Sequence, residues 1–471
     1  MSHTTVHPVV VWFRDDLRLA DNPALQAALS CGAPLLCLYI FDEESPGIRP
    51  LGGAARWWLH HSLEALSEQI HALGNTLIIR QGPAAVIIDE LISEVKPSAL
   101  FWNRRYGTPE RTVDQTIKTT VRGRGIEATS FAANLLFEPW TIQTQEGHHF
   151  SVYTPFWRAC MSRPAPRRPL PAPDTLHTGP TVDRLYPSQL GLLPTSPDWS
   201  TGLQQHWTPG EHEAEKDLNR FVAHGLARYV PDRDRPAEAV TSRLAPRLRF
   251  GEMSPFQVWD AVVSSRTHKP PKSVNTFLSE LGWREFAYHT LFARPELATV
   301  NIRREFDAFP WPSPHPARLR AWQEGTTGIP LVDAGMRELW ATGSMHNRVR
   351  MVTASFLTKN LLIDWRIGEQ WFWDTLVDAD AASNPFNWQW VAGSGADAAP
   401  YFRVFNPELQ REKFDPQGTY VKLWVPEWNT GRYGAPVVDL VTSRREALTA
   451  FDTVKQTRRE PLASATISTR E

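Results

Sequence analysis

The 471-residue sequence has few cysteines: only Cys31, Cys37 and Cys160 occur, and they are widely spaced. Three cysteines are too few for a disulfide framework or for a metal or iron–sulfur site made of four thiolates. We therefore expect buried thiols and no metal. The sequence also lacks an apolar run long enough to cross a bilayer, and its start lacks the features of a secretory signal. We expect a monomer located in the cytoplasm, with no membrane partner.

Net charge and the common phosphate-binding motifs are also missing. The formal net charge is −1, so any binding to DNA must come from a local arginine surface rather than from overall basicity. No G-x-G-x-x-G follows the first apolar run, and no G-x-x-x-x-G-K-[ST] occurs anywhere. These absences argue against a dinucleotide dehydrogenase and a P-loop ATPase.

The N-terminal part alternates short apolar runs with segments of helical periodicity. The runs are residues 9–13, 34–41, 75–80, 99–102 and roughly 127–131. This alternation predicts an α/β domain, residues 1–138, with a doubly wound, parallel five-stranded sheet.

The later part of the chain predicts a second, helical domain. Residues 164–209 contain ten prolines and few regular apolar patterns, which is typical of an extended connector. We place this connector at residues 139–210. Helical patterns follow and define a domain at residues 211–455, before a short polar tail at 456–471.

Tryptophan is abundant, with 20 in the chain. Nine of them lie between residues 283 and 390: Trp283, Trp311, Trp322, Trp340, Trp365, Trp371, Trp373, Trp388 and Trp390. Most tryptophans pack in cores. At this density some can also stack on bases or on a flavin, or carry an electron hole.

Residues 345–365 form a helical pattern in which Asn347 and Arg350 share one face. Unpaired, these polar groups would cost about 1–3 kcal/mol. Two partners are possible: an internal ion pair to Asp378 or Asp380, or a polar ligand such as a flavin. The sequence around 378–390 adds two carboxylates and an Asn-Pro step, which are typical of a tight loop.

Several motifs, in this order along the chain, resemble the photolyase/cryptochrome family. They are VWFRDDLRLADNPAL at 11–25, TSRLAP at 241–246, GEMSP at 251–255, ELGWREF at 280–286, GIPLVDAGMRELW at 328–340, MHNRVRM at 345–351, DADAASNPFNWQW at 378–390 and DAAPYFRVFNP at 397–407. The resemblance runs from about residue 9 to about residue 430. It is greatest to bacterial cyclobutane-pyrimidine-dimer photolyases of the class III branch, which are close to plant cryptochromes.

The resemblance implies that the helical domain holds FAD bent into a U. The matching positions are Tyr229, Thr241, Ser242, Arg243, Leu244, Ala245, Phe277, Glu280, Arg284, Asn347, Arg350, Asp378, Asp380 and Asn384. Thr241 and Ser242 lie at a predicted helix start, which favours the FAD diphosphate. Asp378 is expected to pair with Arg350. Asn384 matches the position next to the flavin N5, where plant cryptochromes have Asp. An asparagine can hydrogen-bond N5 but cannot act as a carboxylic acid, which favours repair over signalling.

The resemblance also assigns residues to electron transfer and to the lesion. Trp388, Trp365 and Trp311 match the inner, middle and outer members of a tryptophan chain that reduces photoexcited flavin. Residues matching the lesion pocket are Glu280, Trp283, Asn347, Arg348, Met351 and Trp390, and Arg233 and Arg348 are candidates for phosphate contacts. A flipped dimer would regain stacking on Trp283 and Trp390, and Glu280 would hydrogen-bond a thymine edge.

Glu110 matches a carboxylate that binds the pterin of 5,10-methenyltetrahydrofolate, a light-harvesting antenna. One departure from the family is Ser344, where relatives commonly have Trp. This serine either leaves a cavity or caps the helix that carries Asn347.

The implied function is blue-light-driven repair of cyclobutane pyrimidine dimers by an electron from reduced FAD. The alternatives are a cryptochrome-type light receptor, (6-4) photoproduct repair and a plain flavin oxidoreductase. Asn384 argues against the receptor, and the MHNRVRM motif argues against (6-4) repair, because the (6-4) enzymes have two histidines in this region.

Overall fold

The computed structural model describes residues 7–398 and 402–459. Residues 399–401 of the DAAPYF motif and residues 460–471 of the predicted tail lie outside the described residues. The chain divides into two compact units. The first unit consists of the described residues up to Pro295 together with Leu339–Ser344 and Phe372–Ser383. The second consists of Glu296–Glu338, Met345–Trp371 and the described residues from Asn384 onward. The domain boundaries expected from the sequence remain a prediction.

A parallel five-stranded sheet lies in the first unit, as predicted. Its strands are β1 (Val9–Phe13), β2 (Leu35–Phe41), β3 (Leu77–Gln81), β4 (Ala99–Asn103) and β5 (Glu127–Phe131), in the order β3-β2-β1-β4-β5. Alternate residues of β1 enter different cores: Val9, Val11 and Phe13 pack on one face of the sheet, and Val10 and Trp12 on the other. Burial on both faces explains why the inner strands β1, β2 and β4 read as continuous apolar runs, whereas the edge strand β5 is mostly polar and only partly buried.

Helices make up most of the remaining structure. Up to residue 293 they are α1 (Pro23–Ser30), α2 (Gly53–Ala72), α3 (Ala84–Val95), α4 (Thr108–Gly123), α5 (Tyr153–Met161), α6 (Thr201–His206), α7 (Glu211–Arg220), α8 (Tyr229–Asp232), α9 (Ala245–Arg249), α10 (Pro255–Ser264) and α11 (Pro271–Ala293). They continue with α12 (Pro316–Glu324), α13 (Pro330–Thr342), α14 (Asn347–Ser355), α15 (Trp365–Thr375), α16 (Ser383–Ala392), α17 (Pro407–Phe414), α18 (Thr419–Trp424) and α19 (Leu440–Arg459). Among the described residues, none of these helices is both long and apolar enough to span a membrane.

Arg18 and Asn22 of the opening motif have structural roles. Arg18 is fully buried and donates to the carbonyl oxygens of Asp21, Gly251 and Ala133. Asn22 caps α1 by accepting from the backbone N–H of Leu25. The motif therefore fixes the turn after β1 and the start of α1.

Candidate active site

Helix α11 carries one wall of a recess in the first unit, which we call the aromatic recess. It is lined by Trp157, Arg233, Lys272, Asn275, Thr276, Ser279, Glu280 and Trp283. Lys272, Asn275, Ser279 and Trp283 recur at three- and four-residue intervals, so one face of α11 follows the recess along its length. Its volume, about 680 Å³, is in the range of small-molecule sites.

Two residues predicted to meet the lesion are paired with each other. The guanidinium of Arg233 forms an ion pair with the Glu280 carboxylate and lies 5.6 Å from the ring centroid of Tyr229. The ring of Tyr229 in turn meets that of Phe277 edge-on at 5.4 Å. The structure therefore brings together four predicted site residues. It also indicates that Arg233 positions Glu280, in addition to the phosphate role expected for it.

Trp283 is held in place by a residue that the sequence did not single out. Its ring stacks on that of Tyr153 with centroids 3.7 Å apart and planes 11° apart. The Tyr153 hydroxyl donates to the carbonyl oxygen of Ser279 at 2.7 Å. One face of the Trp283 indole is thus occupied by protein, which fixes the orientation of the ring.

The Thr241–Ala245 segment forms a turn with unusual backbone geometry. Arg243 has φ +58°, in the left-handed region that non-glycine residues rarely adopt. Its guanidinium donates to the carbonyl oxygen of His206 at 2.7 Å and lies 4.1 Å from the Trp207 ring centroid. Strained turns of this kind are concentrated at functional sites. Helix α9 starts at Ala245, three residues after Ser242.

A second recess, the charged recess, lies at the carboxyl ends of β1, β2 and β4. Its lining includes Asp15, Asp42, Arg104, Arg105, Glu110, Arg249, Arg284, Tyr288, Trp373 and Asp380. Strand order reverses between β1 and β4, and ligands of open parallel sheets bind outside the strand ends at such a switch point. Three of the predicted cofactor residues, Glu110, Arg284 and Asp380, therefore share one recess.

Arg284 and Asp380 have definite partners there. Arg284 donates to the carbonyl oxygen of Asn134 at 2.8 Å and lies 4.8 Å from the Tyr288 ring centroid. Asp380 accepts from the backbone N–H groups of Ala382 and Ser383, at 2.8 and 2.6 Å. These contacts fix the orientation of both side chains.

Glu285, next to Arg284, is fully buried and accepts from the backbone N–H of Phe137 at 3.1 Å. Burial raises the pKa of this carboxyl from 4.5 to about 7, although the Arg284 guanidinium opposes the shift. Because the pKa of Glu285 is higher in the folded than in the unfolded chain, the protonated carboxyl contributes stability that is present below pH 4.5. This stability is lost as the pH rises through about 7.

Replacement of Glu285 by glutamine should remove this pH dependence. The difference in unfolding free energy, E285Q minus the native chain, should increase by on the order of 3 kcal/mol between pH 4.5 and a pH above 7. Urea unfolding across this pH range measures the difference. The exposed Glu296 supplies the control E296Q, and a pH-independent difference for E285Q would contradict the buried, titrating carboxyl.

In the second unit, α14 presents the Asn/Arg face predicted from the sequence. His346 caps the helix by accepting from the backbone N–H of Arg348 at 3.2 Å, and Arg350 Nε donates to the carbonyl oxygen of Met345 at 2.7 Å. Asn347 is exposed at the first position of the helix.

Of the two alternatives for Ser344, the helix cap is therefore wrong, because His346 occupies that position. The Ser344 N–H instead donates to the Thr342 hydroxyl oxygen, outside α14, at 3.1 Å. The guanidinium of Arg348, a predicted lesion contact, lies 4.6 Å from the Phe414 ring centroid.

Asn384 lies in the first turn of α16 and is oriented by Glu369, which the sequence analysis missed. The Asn384 amide nitrogen donates to the backbone oxygen of Glu369 at 3.0 Å and to its carboxylate at 2.9 Å. Both side chains are buried. Since both amide hydrogens are engaged, the side-chain oxygen of Asn384 is the atom left for a ligand donor. Nothing in the sequence signals Glu369, because only the fold brings it to Asn384.

The three tryptophans of the predicted electron chain all lie in the second unit. Trp388 and Trp365 are 2% and 1% exposed, and the Trp365 indole N–H donates to Asn301 at 3.0 Å. Trp311 is partly buried, with its ring 4.3 Å from that of Phe309. A Cβ at Gly368 would lie 2.2 Å from the Trp388 ring. Gly368 therefore lets Trp388 lie directly against α15, the helix that begins with Trp365.

Trp390 and Met351 complete the predicted lesion residues in the second unit. Both are partly buried, and the Trp390 indole N–H donates to the carbonyl oxygen of Asp397 at 3.2 Å.

Among the described residues, His60, His61 and Glu64 could hold a metal ion, since their ligand atoms lie within 4.8 Å of one another. In the structure both imidazoles face the Glu64 carboxylate, at 3.2 and 2.9 Å. The expectation of no metal remains a prediction.

Comparison with known proteins identifies the family. Residues 9–174 match the DNA photolyase family, and residues 277–432 match the FAD binding domain of DNA photolyase. A deoxyribodipyrimidine photo-lyase of Agrobacterium fabrum is 46% identical over 96% of this chain and 98% of its own length. Cryptochrome-1 of Arabidopsis thaliana is 36% identical over 89% of this chain and 62% of its own length.

The fold agrees with these matches. The crystal structure of a bacterial class III photolyase from Agrobacterium tumefaciens has a TM-score of 0.92 and 45% identity, over 97% of this chain and all of that one. The chain belongs to the photolyase/cryptochrome family.

Proposed function

We propose that this protein repairs cyclobutane pyrimidine dimers in DNA with blue light and reduced FAD. The observation that carries the proposal is the Asn384–Glu369 pair. The pair presents a carbonyl oxygen, which accepts a hydrogen bond but cannot release a proton. Such a group favours the anionic reduced flavin needed for repair, whereas an acid at this position would favour a protonated radical.

The residues present fit FAD. In the first unit, Tyr229 and Phe277 offer buried aromatic surface, and the Thr241–Ala245 turn offers hydroxyl groups for a diphosphate. Arg284, Asp378 and Asp380 add charged groups. In the second unit, Asn347, Arg350 and Asn384 offer donors and an acceptor suited to a flavin edge. When bound, reduced FAD would supply the electron that opens the dimer and would take that electron back.

The protein's own residues would bind and orient the lesion. Arg233 holds the Glu280 carboxylate at the aromatic recess, where it can accept from a thymine N–H. Trp283, fixed by Tyr153, offers a stacking surface for a flipped base, and we assign the same role to Trp390. Met351, Asn347 and Arg348 would complete the contacts to damaged DNA.

The part of the charged recess around Glu110 suits a light-harvesting antenna, whereas Arg284 and Asp380, which line the same recess, are assigned to FAD. Glu110 offers the carboxylate expected for a pterin, and Trp373, with the Arg49 guanidinium 3.9 Å from its ring centroid, offers an aromatic surface. We propose 5,10-methenyltetrahydrofolate as the antenna, and a monomer acting in the cytoplasm.

The competing function is that of a blue-light receptor, since a plant cryptochrome is among the relatives. The carboxamide at position 384 argues against it. The MHNRVRM motif likewise argues against (6-4) repair.

The direct test is repair of dimer-containing DNA by the reduced protein. Illuminated samples should regain intact pyrimidines, and dark samples should not. The E280A variant should repair more slowly at equal illumination, because the dimer loses its hydrogen bond to the carboxylate. A hydrogen bond to a charged group is worth about 1.5–3 kcal/mol. Repaired bases are counted by chromatography, with the exposed E296A variant as control. FAD binding without repair in the light would favour the receptor.

A further inference from the structure

The aromatic recess extends beyond the residues assigned to the dimer. Trp157, on α5, lines it together with Glu280 and Trp283 and is only partly buried. Its ring is nearly parallel to that of Tyr153, with centroids 6.4 Å apart and planes 12° apart. Tyr153 also stacks on Trp283, so both tryptophans that line the recess have rings nearly parallel to that of Tyr153.

The orientation of Trp157 is fixed by close packing. A Cβ at Gly282 would lie 2.6 Å from the Trp157 ring, so this glycine lets the indole lie against the backbone of α11. On another side, the buried Trp259 meets Trp157 edge-on with centroids 6.3 Å apart. An indole held in this way loses little conformational freedom on binding a planar ligand, which favours stacking.

The recess also has a cation at its far end. Arg233 is bound to Glu280, whereas the exposed Lys272 forms no ion pair with any described residue. Lys272 precedes Trp283 by eleven residues of α11, or about 16 Å of helix. Asn275 lies between them on the same wall; its amide oxygen accepts from Arg266 at 3.5 Å, and its amide nitrogen offers two donors.

We propose that Trp157, Asn275 and Lys272 form a subsite for the nucleotide next to the dimer on the damaged strand. The Trp157 indole stacks on the base of this neighbouring nucleotide, Asn275 contacts the edge of the base, and Lys272 binds a phosphate. The neighbouring nucleotide is assigned to the same strand because the subsite and the residues for the dimer line one continuous recess. The inference rests on the proposed function, since it assumes that the dimer enters beside Glu280 and Trp283.

The test is a comparison of binding in the dark, so that no substrate is consumed. The holoprotein is titrated with single-stranded oligonucleotides that carry one dimer and either a base or an abasic residue on each side of it. Trp157→Ala should weaken binding to the intact strand about 5- to 100-fold, the range for loss of one base–aromatic stack. Trp157→Phe should lose less. The matched control Trp140→Ala, at a tryptophan 47% exposed outside the recess, should bind as the native chain does.

The abasic strands decide whether stacking on the neighbouring base is the cause. With the correct neighbour abasic, the native chain should bind as weakly as W157A binds the intact strand, and W157A should lose nothing more. Equal binding of intact and abasic strands by the native chain would overturn the subsite without any variant. A W157A defect seen only with duplex DNA would overturn it in favour of a base of the opposite strand. Failure of the native chain to prefer dimer-containing over undamaged strands would instead contradict the proposed function.

Discussion

Replacement of Trp388 by phenylalanine is expected to eliminate the photoreduction of oxidised FAD by an external reductant. Phenylalanine is much harder to oxidise than tryptophan, so it cannot pass an electron on to an excited flavin. The buried Trp388 lies against Gly368 of α15, the helix that begins with the second predicted donor, Trp365. Bleaching of the oxidised flavin under blue light measures the effect.

The chain offers a matched control in Trp322. This tryptophan is fully buried, and its ring centroid lies 6.3 Å from that of Trp388. It lies outside the predicted electron chain, so Trp322→Phe should leave photoreduction close to native. Chemically reduced W388F should still repair dimers, which separates loss of electron supply from loss of cofactor. Normal photoreduction in W388F, or equal loss in W322F, would exclude the proposed order of donors.

The residues predicted to bind the flavin and to carry electrons show how far the sequence could predict the site. Periodicity placed Asn347 and Arg350 on one helix face, and motif resemblance selected Trp365 and Trp388 from twenty tryptophans. Neither could find Glu369, which meets Asn384 only after the chain has folded. Side-chain partners from different elements depend on tertiary packing, and local sequence patterns do not contain them.

For the fold, likewise, the sequence predicted the strands but not the contacts between distant elements. All five segments expected as strands are strands of the parallel sheet. The inner strands β1, β2 and β4 were easy to recognise because a strand buried on both faces needs a continuous apolar sequence. Tyr153 and Trp157 lie in the segment YTPFWRA at residues 153–159, for which the sequence predicted no chemical role. Their importance comes from the close approach of α5 and α11 at Gly282, which one sequence cannot reveal.

Glu252, in the GEMSP motif, is the centre of a buried polar network in the first unit. Its carboxylate is fully buried and accepts from the indole N–H of Trp58 at 2.9 Å and the backbone N–H of Gly210 at 2.7 Å. It also accepts from the Ser62 hydroxyl. Its second oxygen accepts from Arg247 at 2.8 Å, and Arg247 also binds the carboxylate of Asp217 at 3.0 Å. One carboxylate thus satisfies four donors on three separate segments: α2, the residue before α7, and α9.

Glu252→Ala is therefore expected to destabilise the fold by about 3–5 kcal/mol, the range for breaking a buried ion pair by removing one partner. The stability is lost because the buried charge of Arg247 keeps only one of its two carboxylate partners. In addition, the donors of Trp58, Ser62 and Gly210 lose their acceptor. Glu252→Gln keeps an acceptor oxygen and should cost less.

The exposed Glu68, on the same helix as Trp58, gives the control E68A, with a change under about 0.5 kcal/mol. Urea midpoints at fixed FAD concentration rank the variants, because a bound cofactor shifts all of them. Equal midpoints for E252A and E68A would show that this network does not hold the unit together, and the GEMSP motif would then need an explanation in cofactor or DNA binding.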